Sequence, residues 1–313
     1  MLKTSQNKKI DALASKVLQS LLYFDIFKYP LKAEEVYHTI NMHVEFAKIK
    51  EVLANLVSKK MLFQFDDFYC LQDNKGLIER RIKGNDLAKK RLEDAYKMSA
   101  WIARFPYVRG IFLSGSLSKN YMEEDSDIDY FVVTKHGRLW VARTLLKLYR
   151  IIFLLNNDRN FCVNYFIDED NLEIEEKNLF TATELVTTIP TYNPELYAQF
   201  RQANDWSTEH YPHFPMRSVE RTWAVKKDST KNFLERILNA RFGEFLDTHF
   251  MKMTIRHWKR KFGHFEEKDL AIAFKSRKHV SKQHSNHFQR KILEKLQQKI
   301  EEFEQTHAVC FVD

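Results

Sequence analysis

The sequence predicts an α+β protein, a mixed sheet with helices, flanked by a mostly helical N-terminal part and a helical C-terminal region. Three observations predict it. Short apolar runs, VRGIFLSGS, DIDYFVVT and FCVNYFID, are interrupted by the helical stretch GRLWVARTLLKLYRIIFLLN, the alternation expected of a sheet packed against helices. Ahead of these runs, LASKVLQSLLYFDIF and FAKIKEVLANLVSKK carry apolar residues at helical spacing, and from about Thr183 onward that spacing dominates again. Of 313 residues, 44% are hydrophobic and 14% aromatic, which supplies a sizeable core and argues against disorder.

Residues 1–75 are expected to form one module. LASKVLQSLLYFDIF is a helix. YPLKAEEVYHTI is a short helix entered at Pro30, since proline suits a helix start. In the next helix Ile49, Val52, Leu53 and Leu56 recur at i, i+3, i+4 and i+7. MLFQFDDFYCLQ reads as two short aromatic strands around an Asp66-Asp67 turn. Three helices and a hairpin in that order resemble a winged helix-turn-helix. Lys48, Lys50, Lys59 and Lys60 on the third helix are countered by Glu45 and Glu51, and the wing tip is acidic, which phosphate would repel. A protein-contact or scaffold role is therefore favoured over nucleic-acid binding. Residues 76–105 are a charged connecting helix ending before Pro106, 106–215 hold the sheet, and 216–313 form the basic helical C-terminal region.

The chemistry concentrates in LSGSLSKNYMEEDSDIDYFVV, Leu113 to Val133. The chain has only seven glycines, and Gly115 sits in an apolar strand–turn beside Ser116. Glycine permits positive φ and close backbone approach. Ser116 adds a hydroxyl to exposed amides, and such a turn can hold phosphate oxygens. After ten intervening residues come Asp127 and Asp129, two apart in a strand and so on one face. Paired carboxylates repel unless a cation lies between them. Mg²⁺ suits them, because it prefers oxygen ligands and usually keeps a nucleotide phosphate in its shell. Ile128 and Tyr130 to Val133 anchor the strand.

An apolar strand, Gly-Ser, about ten residues and Asp-hydrophobic-Asp resemble the nucleotidyltransferase superfamily that shares its catalytic fold with DNA polymerase β and the kanamycin-type nucleotidyltransferases. The resemblance covers roughly Val108 to Asp168. It implies that Gly115 and Ser116 grip an NTP triphosphate, that Asp127 and Asp129 hold Mg²⁺, and that Lys119 touches phosphate. It also implies a third carboxylate from a neighbouring strand, here FCVNYFID. Asn164 occupies the central position, and an amide can ligate a metal but cannot accept a proton. Asp168, four residues on and on the same face by alternation, is expected to supply the acid; Asp125 is a loop residue. The implied reaction is attack of an acceptor hydroxyl on the α-phosphate of an NTP with release of pyrophosphate, two Mg²⁺ ions stabilising the attacking and leaving oxygens. The alternatives are a catalytically degenerate sensor or nucleic-acid-binding regulator, and an antibiotic- or metabolite-modifying enzyme whose C-terminal helices form the acceptor pocket.

Net charge is +8, and Met251 to Arg290 holds eleven Lys and Arg against three Asp and Glu, a surplus equal to that of the whole chain. Such a segment suits nucleic acid or another polyanion, with a solvated helical face as the equal alternative. His257, His264, His279, His284 and His287 crowd it without metal-ligand spacing. Arg138 and Arg143 are read as solvent-facing rather than nucleotide-reaching, and Trp140, Tyr165 and Phe166 as core. The N-terminus lacks the apolar core of a signal peptide, and Arg143, Lys147 and Arg150 exclude the most apolar helix from a membrane. Three scattered cysteines, Cys70, Cys162 and Cys310, fit reduced thiols in the cytoplasm.

Overall fold

The computed structural model describes residues 8–157, 159–226, 228–238, 241–262, 274–283 and 288–312. In chain order it contains β1 (Lys8–Lys9), α1 (Ala12–Asp25), β2 (Leu31–Lys32), α2 (Ala33–Thr39), α3 (Phe46–Ser58), β3 (Phe63–Phe65), β4 (Phe68–Cys70) and α4 (Gly76–Ile102). There follow β5 (Val108–Ser114), α5 (Gly115–Ser118), β6 (Asp129–Thr134), α6 (Leu139–Phe153), β7 (Cys162–Asp168), α7 (Leu179–Thr187), β8 (Ile189–Tyr192), α8 (Pro194–Ala203) and α9 (Ser207–His210). The last are α10 (Ser229–Ile237), α11 (Arg241–Lys261), β9 (Ser276–Arg277), β10 (Val280–Lys282), α12 (Phe288–His307) and β11 (Val309–Cys310).

The N-terminal module is built on α1, whose Asp11 cap accepts the Ala14 N–H at 2.8 Å. Ile49, Leu53 and Leu56 of α3 are buried, as their spacing requires. Pro30 does not open α2 directly. Leu31 and Lys32 first pair with β4, and α2 starts after them, with Glu35 accepting the Lys32 N–H at 2.9 Å. Proline's fixed φ is compatible with the start of a short edge strand as well as with a helix start. The hairpin turns at Asp66, whose φ is 52°, giving a three-stranded sheet in the order β2-β4-β3.

The main sheet runs β8-β5-β6-β7-β10-β9 and is mixed: β6 and β7 are parallel, the other neighbours antiparallel. Parallel neighbours need a crossover, and α6 provides it. Side chains alternate between two layers. Ile111, Leu113, Tyr130 and Val132 face the core shared with Trp140 and Trp258 of α6 and α11. Phe112, Phe131 and Val133 face Leu196, Tyr197 and Phe200 of α8. The start of α6 is capped from a distance: Asp247, fully buried on α11, accepts the N–H groups of Trp140 and Val141 at 2.8 and 3.1 Å. Burial pushes the Asp247 carboxyl up to about 6.

The stretch over 216–313 is not one helical region. β9 and β10 extend the main sheet, whereas α12 packs on the N-terminal module, with Ile292, Leu296 and Phe303 in the core of α1 and α3. Lys299 Nζ lies 2.5 Å from Asp25 Oδ2, and β11 pairs in parallel with β1. β8 and β10 escape sequence reading because they are short, and β8 carries a proline tolerated at a sheet edge. Truncating Phe303 to Ala is expected to cost about 3–5 kcal/mol; urea melts of the full chain, read at the N-terminal module, measure it.

Candidate functional site

The β5–β6 pairing assembles the site at one end of the sheet. Ser114 lies opposite Asp129, so the chain turns at Gly115 beside that carboxylate. Gly115 has φ +66°, and a Cβ there would sit 2.3 Å from Asp129 Oδ2. This answers why glycine stands here: the turn needs both a left-handed backbone and the absent side chain. Ile128 is fully buried between the two acids, which anchors the strand start. Asp127 is exposed and Asp129 half-buried.

The loop from Lys119 to Ser126 is held from several sides. Gly84 of α4 lets the Tyr121 ring approach so closely that a Cβ would lie 2.2 Å from it, and the Gly84 carbonyl accepts the Met122 N–H at 3.1 Å. Tyr29 of the N-terminal module donates its hydroxyl to the Lys119 carbonyl at 2.7 Å, and Arg217 donates to the Ser118 carbonyl at 2.8 Å. Ser116 Oγ faces Met122 Sδ at 3.6 Å. Lys119 Nζ donates to the Gly115 carbonyl at 3.0 Å and pairs with Glu184 Oε1 of α7 at 2.8 Å.

Burial pushes the Asp129 carboxyl up to about 6. The negative charges of Glu184 and Asp127 add to the rise, and hydrogen bonds from Cys162 and Asn164 oppose it. Asn164 Nδ2 donates to Asp129 Oδ1 at 2.8 Å. It reaches there because the β6–β7 register shifts: Tyr130 pairs with Val163 and Phe131 with Tyr165, which leaves Asn164 as the extra residue of a bulge.

Asp168 is not part of this cluster, which corrects the sequence expectation. It pairs with Thr134, at the opposite end of β6 from Asp129. Five strand residues separate those levels, about 16 Å. The bulge also breaks the alternation on which a shared face was inferred. Asp168 is buried, accepts from Asn171 Nδ2 at 2.7 Å and lies 3.2 Å from His136 Nδ1, a structural anchor for the following loop. Arg138 and Arg143 stand away from the carboxylates. Arg138 crosses the Tyr107 ring. Arg143 is buried rather than solvent-facing, between the Trp140 and Trp258 rings at 5.5 and 5.0 Å, where two π faces accommodate the charge. Trp140 and Phe166 are buried in the core, and Tyr165 packs against Phe131. Asp125 is exposed on its loop. His264, His284 and His287 lie outside the described residues.

Two site residues had no sequence signal. Glu184 sits in TATELV, an ordinary helical stretch. Lys282 lies at the end of β10, over the Tyr165 ring at 5.4 Å, and burial lowers its ammonium from the usual lysine range while Glu176 and Glu184 oppose that shift. The Gln283 N–H bonds the Asn164 carbonyl at 2.9 Å, which brings this C-terminal strand to the site. A concavity of about 650 Å³ opens further along β7 and β10 around Tyr165, Ile167 and Lys275, and neither Gly115 nor the two acids line it.

Asp127 and Asp129 fit a Mg²⁺ ion. They present paired carboxylates, and a divalent charge would offset the burial that holds the Asp129 carboxyl high. Among the described residues no group of three or more His, Cys, Asp or Glu side chains is placed to hold a metal. Mg²⁺ bound by two carboxylates completes its shell with phosphate and water.

No helix among the described residues is long and apolar enough to cross a membrane. No curated protein and no solved structure matched the chain. A family model described as nucleotidyltransferase domain matches residues 99–184, the stretch that contains β5, the Gly-Ser turn, β6, β7 and most of α7. The sheet, the Gly115–Asp129 packing and this match together identify a nucleotidyltransferase-superfamily domain within the chain.

Proposed function

We propose that the protein transfers a nucleoside monophosphate from a Mg²⁺-bound NTP to a hydroxyl of an acceptor and releases pyrophosphate. The observation that carries this reading is the contact of the Gly115 turn with the Asp129 carboxylate. It supports the reading because the Gly115 turn packs on Asp129, one acid of the proposed pair. Gly115 and Ser116 would take the triphosphate through backbone N–H groups and the Ser116 hydroxyl, and Lys119 would add a cation. Asp127 and Asp129 would hold Mg²⁺, which when bound neutralises phosphate charge. Asn164 keeps Asp129 oriented through its 2.8 Å hydrogen bond. The protein's own contribution is positioning and charge stabilisation.

The test is incubation with α-labelled NTPs, Mg²⁺ and cell extract. Label is expected on an acceptor, in step with pyrophosphate release. Label that stays on nucleotide, with NTP bound, would favour the degenerate sensor.

The N-terminal module is read as a winged-helix-like scaffold. Its support is the Tyr29 hydrogen bond to the site loop and the α12 helix packed against it. Cys70, Cys162 and Cys310 form no disulfide among the described residues, and thiols of that kind support a cytoplasmic location. A polyanion partner is supported by exposed Lys252, Arg256, Lys259, Arg260 and Lys261 on α11. Part of the basic surplus is already matched: Lys275 pairs with Glu175 and Glu176, Arg277 with Glu175, and Lys278 with Glu244. Reversing Lys259, Arg260 and Lys261 to Glu is expected to abolish binding to a mixed RNA/DNA pool and its fall with rising salt. Unchanged binding would make α11 a solvated face.

A further inference from the structure

Helix α7 is pinned against the Gly-Ser turn. Ser118 Oγ and Thr187 Oγ1 are 3.3 Å apart, and Thr183 Oγ1 meets the Tyr211 hydroxyl at 2.6 Å. Both threonines are buried. Between them Glu184 is held toward α5, with Oε1 2.8 Å from Lys119 Nζ, and its side chain keeps 27% of its surface open. Lys119 also donates to the Gly115 carbonyl, in the turn that packs on Asp129, so Glu184 stands beside the carboxylate site. Asn164 offers no proton-accepting group there, and Asp168 lies at the other end of β7.

Lys119 ties Glu184 to the phosphate-binding turn, because the same ammonium donates to the Gly115 carbonyl at 3.0 Å. Phosphate and Glu184 therefore compete for one cation. We propose that Glu184 is the proton acceptor for the attacking hydroxyl, and that its ion pair with Lys119 withholds it until a triphosphate takes that ammonium. This rests on the nucleotidyl-transfer reading above. In the step, the hydroxyl oxygen bonds the α-phosphorus and its proton passes to the Glu184 carboxylate. The bond from the α-phosphorus to the bridging oxygen breaks, and its electron pair leaves with pyrophosphate. Glu184 then returns the proton to solvent and pairs with Lys119 again. The carboxylate thus comes from a helix and is released by nucleotide, which links proton transfer to substrate occupancy.

The test uses the full chain, MgATP and glycerol as a surrogate hydroxyl. Glu184→Gln is expected to bind MgATP as tightly as wild type or up to about fivefold more tightly, because a competitor for Lys119 is gone. Its pyrophosphate release should fall about 10²–10⁴-fold, the usual worth of a proton acceptor. Glu184→Asp should recover part of that loss, and Lys119→Met should weaken MgATP binding. Full release by Glu184→Gln, or weaker MgATP binding at an unchanged melting temperature, overturns the proposal. So does a wild type that binds MgATP yet releases no pyrophosphate, which leaves the nucleotide site standing. A wild type that fails to bind MgATP defeats the nucleotidyl-transfer reading itself.

Discussion

Asp129→Asn is expected to lower nucleotidyl transfer by at least about 10²-fold and, at pH 7.5, to make the nucleotide-free protein more stable. The loss follows from removing a carboxylate proposed to hold Mg²⁺ against the phosphates, and losing one such electrostatic contact typically costs about 10²–10³-fold. The gain follows from linkage. The folded carboxyl is raised from 3.8 to about 6, chiefly by burial. Between those values the folded state binds more protons than the unfolded state, so stability falls as pH rises through the window and the full cost is present above it. Two pH units correspond to a ceiling of about 3 kcal/mol. Asparagine carries no charge and can still accept the Asn164 hydrogen bond. Urea melts at pH 4.5 and 7.5 measure the effect. The wild type should lose stability between the two, and the variant should lose less. A residual slope is expected, because Asp247 is raised to about 6 in the same way. Equal slopes in both proteins would show that Asp129 is not held high.

Gly115→Ala is expected to disable the site by a different route. The residue has φ +66°, where a side chain costs about 1–2 kcal/mol. Its Cβ would also fall 2.3 Å from Asp129 Oδ2, so either the turn or the acid must move. A shift of about 1 Å in a reacting group lowers rate about 10²-fold. Gly137→Ala is the control, since it has the same φ of +66° and nothing within 4 Å of the added Cβ. The two variants should lose similar backbone stability, and only Gly115→Ala should lose pyrophosphate release and MgATP affinity. Equal activity in both would detach the Gly115–Asp129 contact from function.

The local parts of the fold were legible because they are carried by neighbours in the chain. Ile49, Leu53 and Leu56 recur at helical spacing and are buried together on α3. Asp66 and Asp67 turn a hairpin between aromatic strands. Gly115 directly follows β5 and Asp129 opens β6, its antiparallel neighbour, so one connection between adjacent strands brings them into contact. The positions of Asn164 and Asp168 were not legible. A one-residue bulge in β7 turns Asn164 onto Asp129, which no alternation rule foresees, and the length of the strand carries Asp168 to the opposite end of β6.

The amino-acid sequence by itself determined the α+β class, the mixed sheet's central strands and the stretch that matches the nucleotidyltransferase domain, because hydrophobic period and motif spacing are properties of adjacent residues. Only the tertiary structure decided which distant side chains join that stretch. Glu184 arrives on a helix pinned by Ser118 and Tyr211, Lys282 arrives on a strand that hydrogen-bonds β7, and α12 returns to cover α1. These placements follow from burying apolar faces and satisfying backbone hydrogen bonds across the whole molecule, a requirement that acts between residues a hundred positions apart and leaves no periodic trace in the chain.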